Sequence, residues 1–453
     1  MSRSRPIENA APPQARSDVT LARQRGLGFW HRPFAAPAVL CAAYTVVALA
    51  IFARLGSLAH LEEIVFSAPD AQGYRTIADF FGGGSERPDA ELLGLRPLLF
   101  PLLLTTYRVI GVVGFVLLQW LLNLCTVLFT FSTLTRITGL RRIGIAGAGL
   151  LILHPTFSFI ALHALCEPLA LALMAGAVSR FVDFFVTGER RSLGTGCFLL
   201  CAACCAKPVY LPICYAACAY AAWDLFRKRP RAGRAFALAA LAASPLLVQL
   251  FLSFLLTGQP TISTAGRFNF ENRFFPVVVG VQRGTGLPYD QAEERAASAG
   301  HPALGDKVRY VVGHPAATVA AVGYLLRSNV LTGSSFVRQP PELFPASRLG
   351  EGLEHWSGLL NAAIARIHVL AAVVLMGVAL RRIRGIPAWA GLLACASYVL
   401  FLTSALTYAQ GDRLILAAVP IWIVAYASIS WPLLRRSTKL AHTQRSEAPD
   451  AGA

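Results

Sequence analysis

Runs of about 20 predominantly apolar residues recur from Phe34 to Leu434, each long enough to cross roughly 30 Å of hydrocarbon at about 1.5 Å per residue. Nothing else in the chain constrains its fold as strongly. A segment in lipid must pair its own backbone amides, so the predicted spanning elements are helices. They are expected at about 34–58, 112–135, 143–161, 166–187, 193–207, 208–226, 233–256, 358–380, 386–408 and 412–434. The predicted fold is an all-α integral membrane protein with about ten transmembrane helices.

The formal net charge of +17 raises the question of an anionic partner, and the placement of the basic residues answers it. From a cytoplasmic N-terminus, alternate segments carry Arg3, Arg5, Arg16, Arg23, Arg25 and Arg32; Arg136, Arg141 and Arg142; Arg190 and Arg191; Arg227, Lys228, Arg229, Arg231 and Arg234; Arg381, Arg382 and Arg384; and Arg435, Arg436, Lys439 and Arg445. The short opposite loops near 154–165 and 408–411 have no Lys or Arg. This is the positive-inside pattern. It implies an inner (plasma) membrane protein with both termini cytoplasmic and membrane lipids around it, and it removes the case for nucleic acid. Residues 1–33 and 435–453 read as disordered cytoplasmic tails flanking a 34–434 membrane domain. The first apolar run has no small-residue cleavage site close behind it and reads as an anchor.

Ten cysteines are present. Cys197, Cys201, Cys204 and Cys205 mostly share one helical face, with no His or carboxylate beside them to complete a metal site. They read as small apolar packing residues. No cysteine falls clearly in an outer loop, so no disulfide framework is expected.

Two outer loops, about 59–97 and 257–357, are long for connections between spans. In "SAPDAQGYRTIADFF", Tyr74, Ile77, Ala78 and Phe81 follow helical spacing, which predicts a short interfacial helix with Asp70 at its N-terminal end. In the second loop, "KVRYVVGHPAATVAAVGYLLRSNVL" sets Val308, Val311 and Val312 opposite basic residues, as a segment skimming the membrane would.

Polar groups within such a chain are candidates for chemistry. Asp70 reads as a general base, a metal ligand or a helix N-cap. Glu62 and Glu63 read as the solvated end of span one. Glu167 sits in "HPTFSFIALHALCEPLALALM" between apolar stretches, with no Lys or Arg next to it in sequence; helix capping with Pro168 at the first helical position is the alternative. His154 and His163 flank this turn and read first as packed or interfacial histidines. Lys207, in "CCAKPVYLP", and Arg413, in "YAQGDRLILAAVP", emerge on the same outer side, where a cation can hold a lipid phosphate. Snorkelling of Lys207 and an Arg413–Asp412 pair are the competing readings.

Taken in order, Asp70 with Tyr74 and Ala78, then "RPLLFPLLL", "LHPTFSFIALHALCEPLALAL", "AKPVYLP", "VRYVVGHPAATV" and "GDRLILAAVPIWI" resemble the GT-C superfamily of polytopic glycosyltransferases. The likeness is to the branch that includes protein O-mannosyltransferases and the aminoarabinose transferase of lipid A, and it extends over about residues 40–430. The resemblance implies an inverting transfer of a sugar from a polyprenyl-phosphate donor to a lipid, glycan or protein acceptor on the outer face. It makes Asp70 the base and gives Glu167 a supporting role toward the acceptor or a metal ion. It also makes Lys207, Arg413 and Arg96 ligands of the donor phosphate, and Tyr74, His163 and Arg267 substrate contacts. No cofactor is expected apart from an optional divalent metal ion, and Ala71 after Asp70, where many relatives have an acidic pair, argues against a metal there. No large soluble outer domain of the kind that some relatives use for acceptor recognition is expected after span ten. Two rivals remain: a lipid or sugar transporter, which predicts repeat symmetry not evident in the sequence, and a glycan polymerase or ligase resting on Arg267, Arg273 or His314.

Overall fold

The computed structural model describes residues 34–54, 60–227, 232–284, 303–331, 388–403 and 416–431, with isolated positions between 352 and 363. These residues form helices and connecting turns, with no strand among them. Four helices are long and apolar enough to cross a membrane: Ala35–Phe52, Tyr107–Thr138, Glu167–Thr187 and Ala237–Thr257. Expected spans five and six correspond to helices Arg190–Ala206 and Leu211–Arg227, of 17 residues each. Shorter apolar helices, Trp389–Thr403 and Val419–Trp431, fall within the last two. Apart from isolated positions, the expected span 358–380 lies outside the described residues, as do both tails and Arg413.

One expected span takes a different form. Where a single helix was predicted over 143–161, Arg141–Ile152 and Pro155–Leu162 meet at 70°. Pro155 disfavours helical backbone at the residue before it, and His154 is extended, with φ −77° and ψ 111°. Arg141–Ile152 packs closely on Tyr107–Thr138, because a Cβ on Gly147 would overlap the Leu134 side chain. Small residues permit such approach where lipid supplies no hydrophobic drive between helices. Tyr107–Thr138 is itself interrupted at Gly111, whose φ of 70° suits glycine, so its continuous part begins where the apolar run does.

After the bend, residues 155–166 run as short helical turns and extended backbone buried inside the protein. Buried irregular backbone needs partners. Gln119 Nε2 donates to the carbonyls of His163 and Leu165, at 2.9 and 3.0 Å. Asn123 Nδ2 donates to the Phe157 carbonyl at 2.6 Å, and Ala164 N donates to the Val65 carbonyl at 2.8 Å. Two buried amides on one long helix thus hold a shelf, and the shelf ends at Glu167.

The first loop folds as helices Leu61–Val65, Pro69–Phe81 and Ala90–Leu95, and a short helix Leu99–Leu104 follows it. Pro69–Phe81 buries Tyr74, Ile77 and Ala78 of the anticipated face, together with Ala71, while Phe81 is only half-buried. In the second loop, Phe275–Gln282 and Pro315–Leu331 form a small core of Phe274, Val277, Val278, Ala317, Ala321 and Leu325. Helix Leu304–Gly313 leans on it through Val311. Val312 is 73% exposed and Val308 is also exposed, whereas Lys307 is buried and reaches Glu271 Oε2 at 3.4 Å.

Candidate functional site

Asp70 lies in the first turn of Pro69–Phe81, but the N-cap of that helix is Ala68. Its carboxylate instead meets Arg96 Nη2 at 2.5 Å. Arg96 follows Ala90–Leu95, whose position is fixed by neighbouring bonds. Gln249 Oε1 accepts from Leu98 N at 3.0 Å, Ser263 Oγ donates to the Leu95 carbonyl at 2.6 Å, and Thr264 N donates to the Gly94 carbonyl at 2.8 Å. The second large loop is therefore stitched to the first beside Asp70.

Glu167 opens its helix, with Cys166 as N-cap and Pro168 next in line. It is almost fully buried, and Lys207 Nζ lies 3.0 Å from its Oε1. Although Glu167 has no basic neighbour in sequence, folding supplies one: Lys207, the C-cap of Arg190–Ala206, turns inward. With its side chain 12% exposed, Lys207 does not snorkel outward.

These two pairs face one cavity of about 400 Å³, lined by Asp70, Tyr74, Arg96, Glu167, Lys207 and Arg273, with apolar walls that include Leu95, Val209, Leu211 and Phe268. A ligand pocket of about 300–1,000 Å³ is typical. Two carboxylates and three cations leave one excess positive charge among the described lining residues. Tyr74 is buried behind the Asp70–Arg96 pair: its hydroxyl donates to Cys166 Sγ at 3.3 Å, and the Arg96 guanidinium sits 5.1 Å from its ring centre. Burial pushes the Tyr74 phenol well above its usual pKa, so it stays neutral. Burial alone would lower the Arg96 pKa, but its neighbours, the Asp70 carboxylate among them, raise it on balance.

The remaining candidates are placed elsewhere. His163 is buried in the shelf, its Nδ1 3.0 Å from the Ile64 carbonyl, and it does not line the cavity. Arg267 pairs with Glu271 at 2.7 Å, with its own side chain 66% exposed. It borders an adjacent pocket of about 370 Å³ that shares Leu95 and Phe268 with the first. His154 is buried, His314 stacks on Tyr310 with centroids 4.2 Å apart, and Glu62 pairs with Arg75 at 2.7 Å. Sequence reasoning assigned Arg273 only to a rival reading and gave Cys166 no role. Arg273 sits in a helical turn whose facing cannot be seen without the fold.

No family model, curated protein or solved structure matches this chain.

Proposed function

We propose that the chain is a membrane-embedded glycosyltransferase of GT-C type that moves a sugar from a polyprenyl-phosphate donor to a lipid, glycan or protein acceptor of the cell envelope. The observation that carries this reading is the convergence of Asp70, Arg96, Glu167, Lys207 and Arg273 on one cavity with an apolar wall. Such a site suits an amphipathic anion: cations for the phosphate, hydrocarbon for the chain beneath it. Under the positive-inside rule, the basic clusters support a cavity on the non-cytoplasmic side of an inner membrane, with both termini inside.

In this mechanism Asp70 removes the proton from the acceptor hydroxyl as its oxygen attacks the anomeric carbon, and configuration inverts. Arg96 holds the carboxylate in place. The bond to the donor phosphate breaks, and Lys207 and Arg273 receive the charge that builds on the departing oxygen, an electrostatic role that a preformed site performs without reorganisation. Arg413, by the resemblance, joins this clamp. As the phosphate binds, Lys207 is drawn from Glu167, freeing that carboxylate to accept a hydrogen bond from the acceptor. Each cavity carboxylate faces a cation, and the only trio of metal-ligating side chains gathered among the described residues is of cysteines elsewhere. The reading therefore routes no step through a metal.

Asp70→Asn tests it. Transfer should fall by about 10²–10⁴-fold, the usual range for a lost general base, while expression and membrane insertion persist. Mass analysis of envelope glycans and polyprenyl-phosphate sugars should show donor accumulating and product missing. Undiminished transfer would overturn the reading. It would favour a polymerase or ligase built on Arg273, which among Arg267, Arg273 and His314 alone lines the cavity.

A further inference from the structure

Away from the cavity, two successive helices turn their sulfur-bearing faces toward each other. Arg190–Ala206 carries Cys197, Cys201 and Cys204, spaced by four and three residues, and Leu211–Arg227 carries Cys214 and Cys218, spaced by four. Both spacings place thiols along one stripe of a helix, and the short Pro208–Tyr210 turn between them lets the stripes meet. The sulfurs of Cys201, Cys214 and Cys218 all lie within 4.8 Å of one another. Cys201 and Cys214 approach to 3.5 Å without a covalent bond. Cys197 lies beside Cys218, and Cys204 beside Cys214, so two further thiols flank the trio. Cys205, by contrast, donates to the Pro245 carbonyl at 3.3 Å and stands apart.

We propose that Cys201, Cys214 and Cys218 form a binding site for a soft metal ion, monovalent copper being the best fit. The ligand set decides the class, because a sulfur-only site selects thiophilic ions over magnesium, calcium or manganese. Size agrees as well. Three sulfurs about 2.3 Å from a central ion, the usual metal–thiolate length, would lie about 4 Å apart in a plane. The observed separations run from 3.5 Å to no more than 4.8 Å, so closing the site needs sub-ångström shifts. Three sulfurs satisfy monovalent copper, whereas a structural zinc takes four ligands. Cys218 is half-exposed and gives the ion its entry, while Cys201 and Cys214 are buried beneath it. The coordinating thiols release their protons to the ligand that delivers the ion as it binds. On the first helix alone no completing ligand is visible; the second helix provides it. The site stands independently of the proposed transferase activity.

The test uses the full-length protein in detergent, reduced under anaerobic conditions and titrated with monovalent copper against a chromogenic copper(I) chelator. One ion per chain should be retained, with a first shell of sulfur alone by X-ray absorption at the copper edge. Cys201→Ser, Cys214→Ser and Cys218→Ser should each weaken retention by about tenfold or more, at least the loss seen when outer-shell partners of a metal are removed. Cys41→Ser and Cys395→Ser, which are not part of the trio, should leave it unchanged. Complete loss of copper to the chelator, a nitrogen or oxygen first shell, or a Cys201–Cys214 disulfide in anaerobically isolated protein would overturn the proposal. If the serine variants do not assemble, stoichiometry and first shell of the unsubstituted protein decide alone.

Discussion

The cavity has two walls of similar chemistry and unequal depth. On one, Asp70 and Arg96 keep side-chain exposures of 19% and 20%; on the other, Glu167 and Lys207 keep 2% and 12%. A carboxylate with residual hydration can exchange a proton with a substrate hydroxyl, and a weakened partner is replaced in part by water. One held in low dielectric depends almost wholly on its cation, since leaving a buried charge uncompensated is far worse than never having formed the pair. The shallow wall suits proton transfer, and the deep wall suits holding the site together.

The widest separation between the walls should come from Lys207→Met. It strands Glu167 and should cost about 3–5 kcal/mol, read as a fall in thermal midpoint in detergent. Adding Glu167→Gln should recover most of that loss, and failure to recover would mean that Lys207 stabilises through something other than the pair. Gln119→Leu comes next. It strips two shelf carbonyls of their donor and should cost about 1–3 kcal/mol, with slowed hydrogen exchange protection lost around residues 163–167 and retained around Asp70. Arg96→Met, on the wetter wall, should cost only about 1 kcal/mol in stability after solvent screening, yet lower transfer in the same envelope assay. A loss of stability as large as that of Lys207→Met would erase the contrast drawn between the walls.

The smallest effect is expected outside both walls, at Glu271. Its pKa is lowered first by the hydrogen bond from Arg267 and then by Lys307, with burial opposing. A depressed carboxylate contributes stability that is present above the unfolded value of about 4.3 and lost as pH falls through the lower folded value. The midpoint difference between wild type and Glu271→Gln should therefore be present at pH 6 and shrink as pH falls below about 4. A difference that is constant with pH would show that the pair contributes nothing by charge.

Much of this was legible from local pattern. Period and length gave the helices, and the spacing of Tyr74, Ile77 and Ala78 gave the buried face of their short helix, because both depend on residues within a few turns of each other. The bend at His154 was missed although Pro155 announces it, since the apolar run continues through the bend and hydropathy averages over it. Glu167 stood out as an isolated carboxylate, but its partner lies 40 residues on, and pairing at that range is set by helix packing. The same reason hid the meeting of Cys201 with Cys214. His163 and Arg267 carried the right chemistry for a substrate contact, but one is committed to holding backbone and the other to an exposed pair beside a neighbouring pocket.

Helix Leu304–Gly313 has a practical corollary. With Val308 and Val312 outward and Lys307 folded in against Glu271, this piece of the second loop is not a hydrophilic appendage that can be cut free and handled in buffer. Purification should keep it joined to the bundle, where the rim of the micelle can cover its valines.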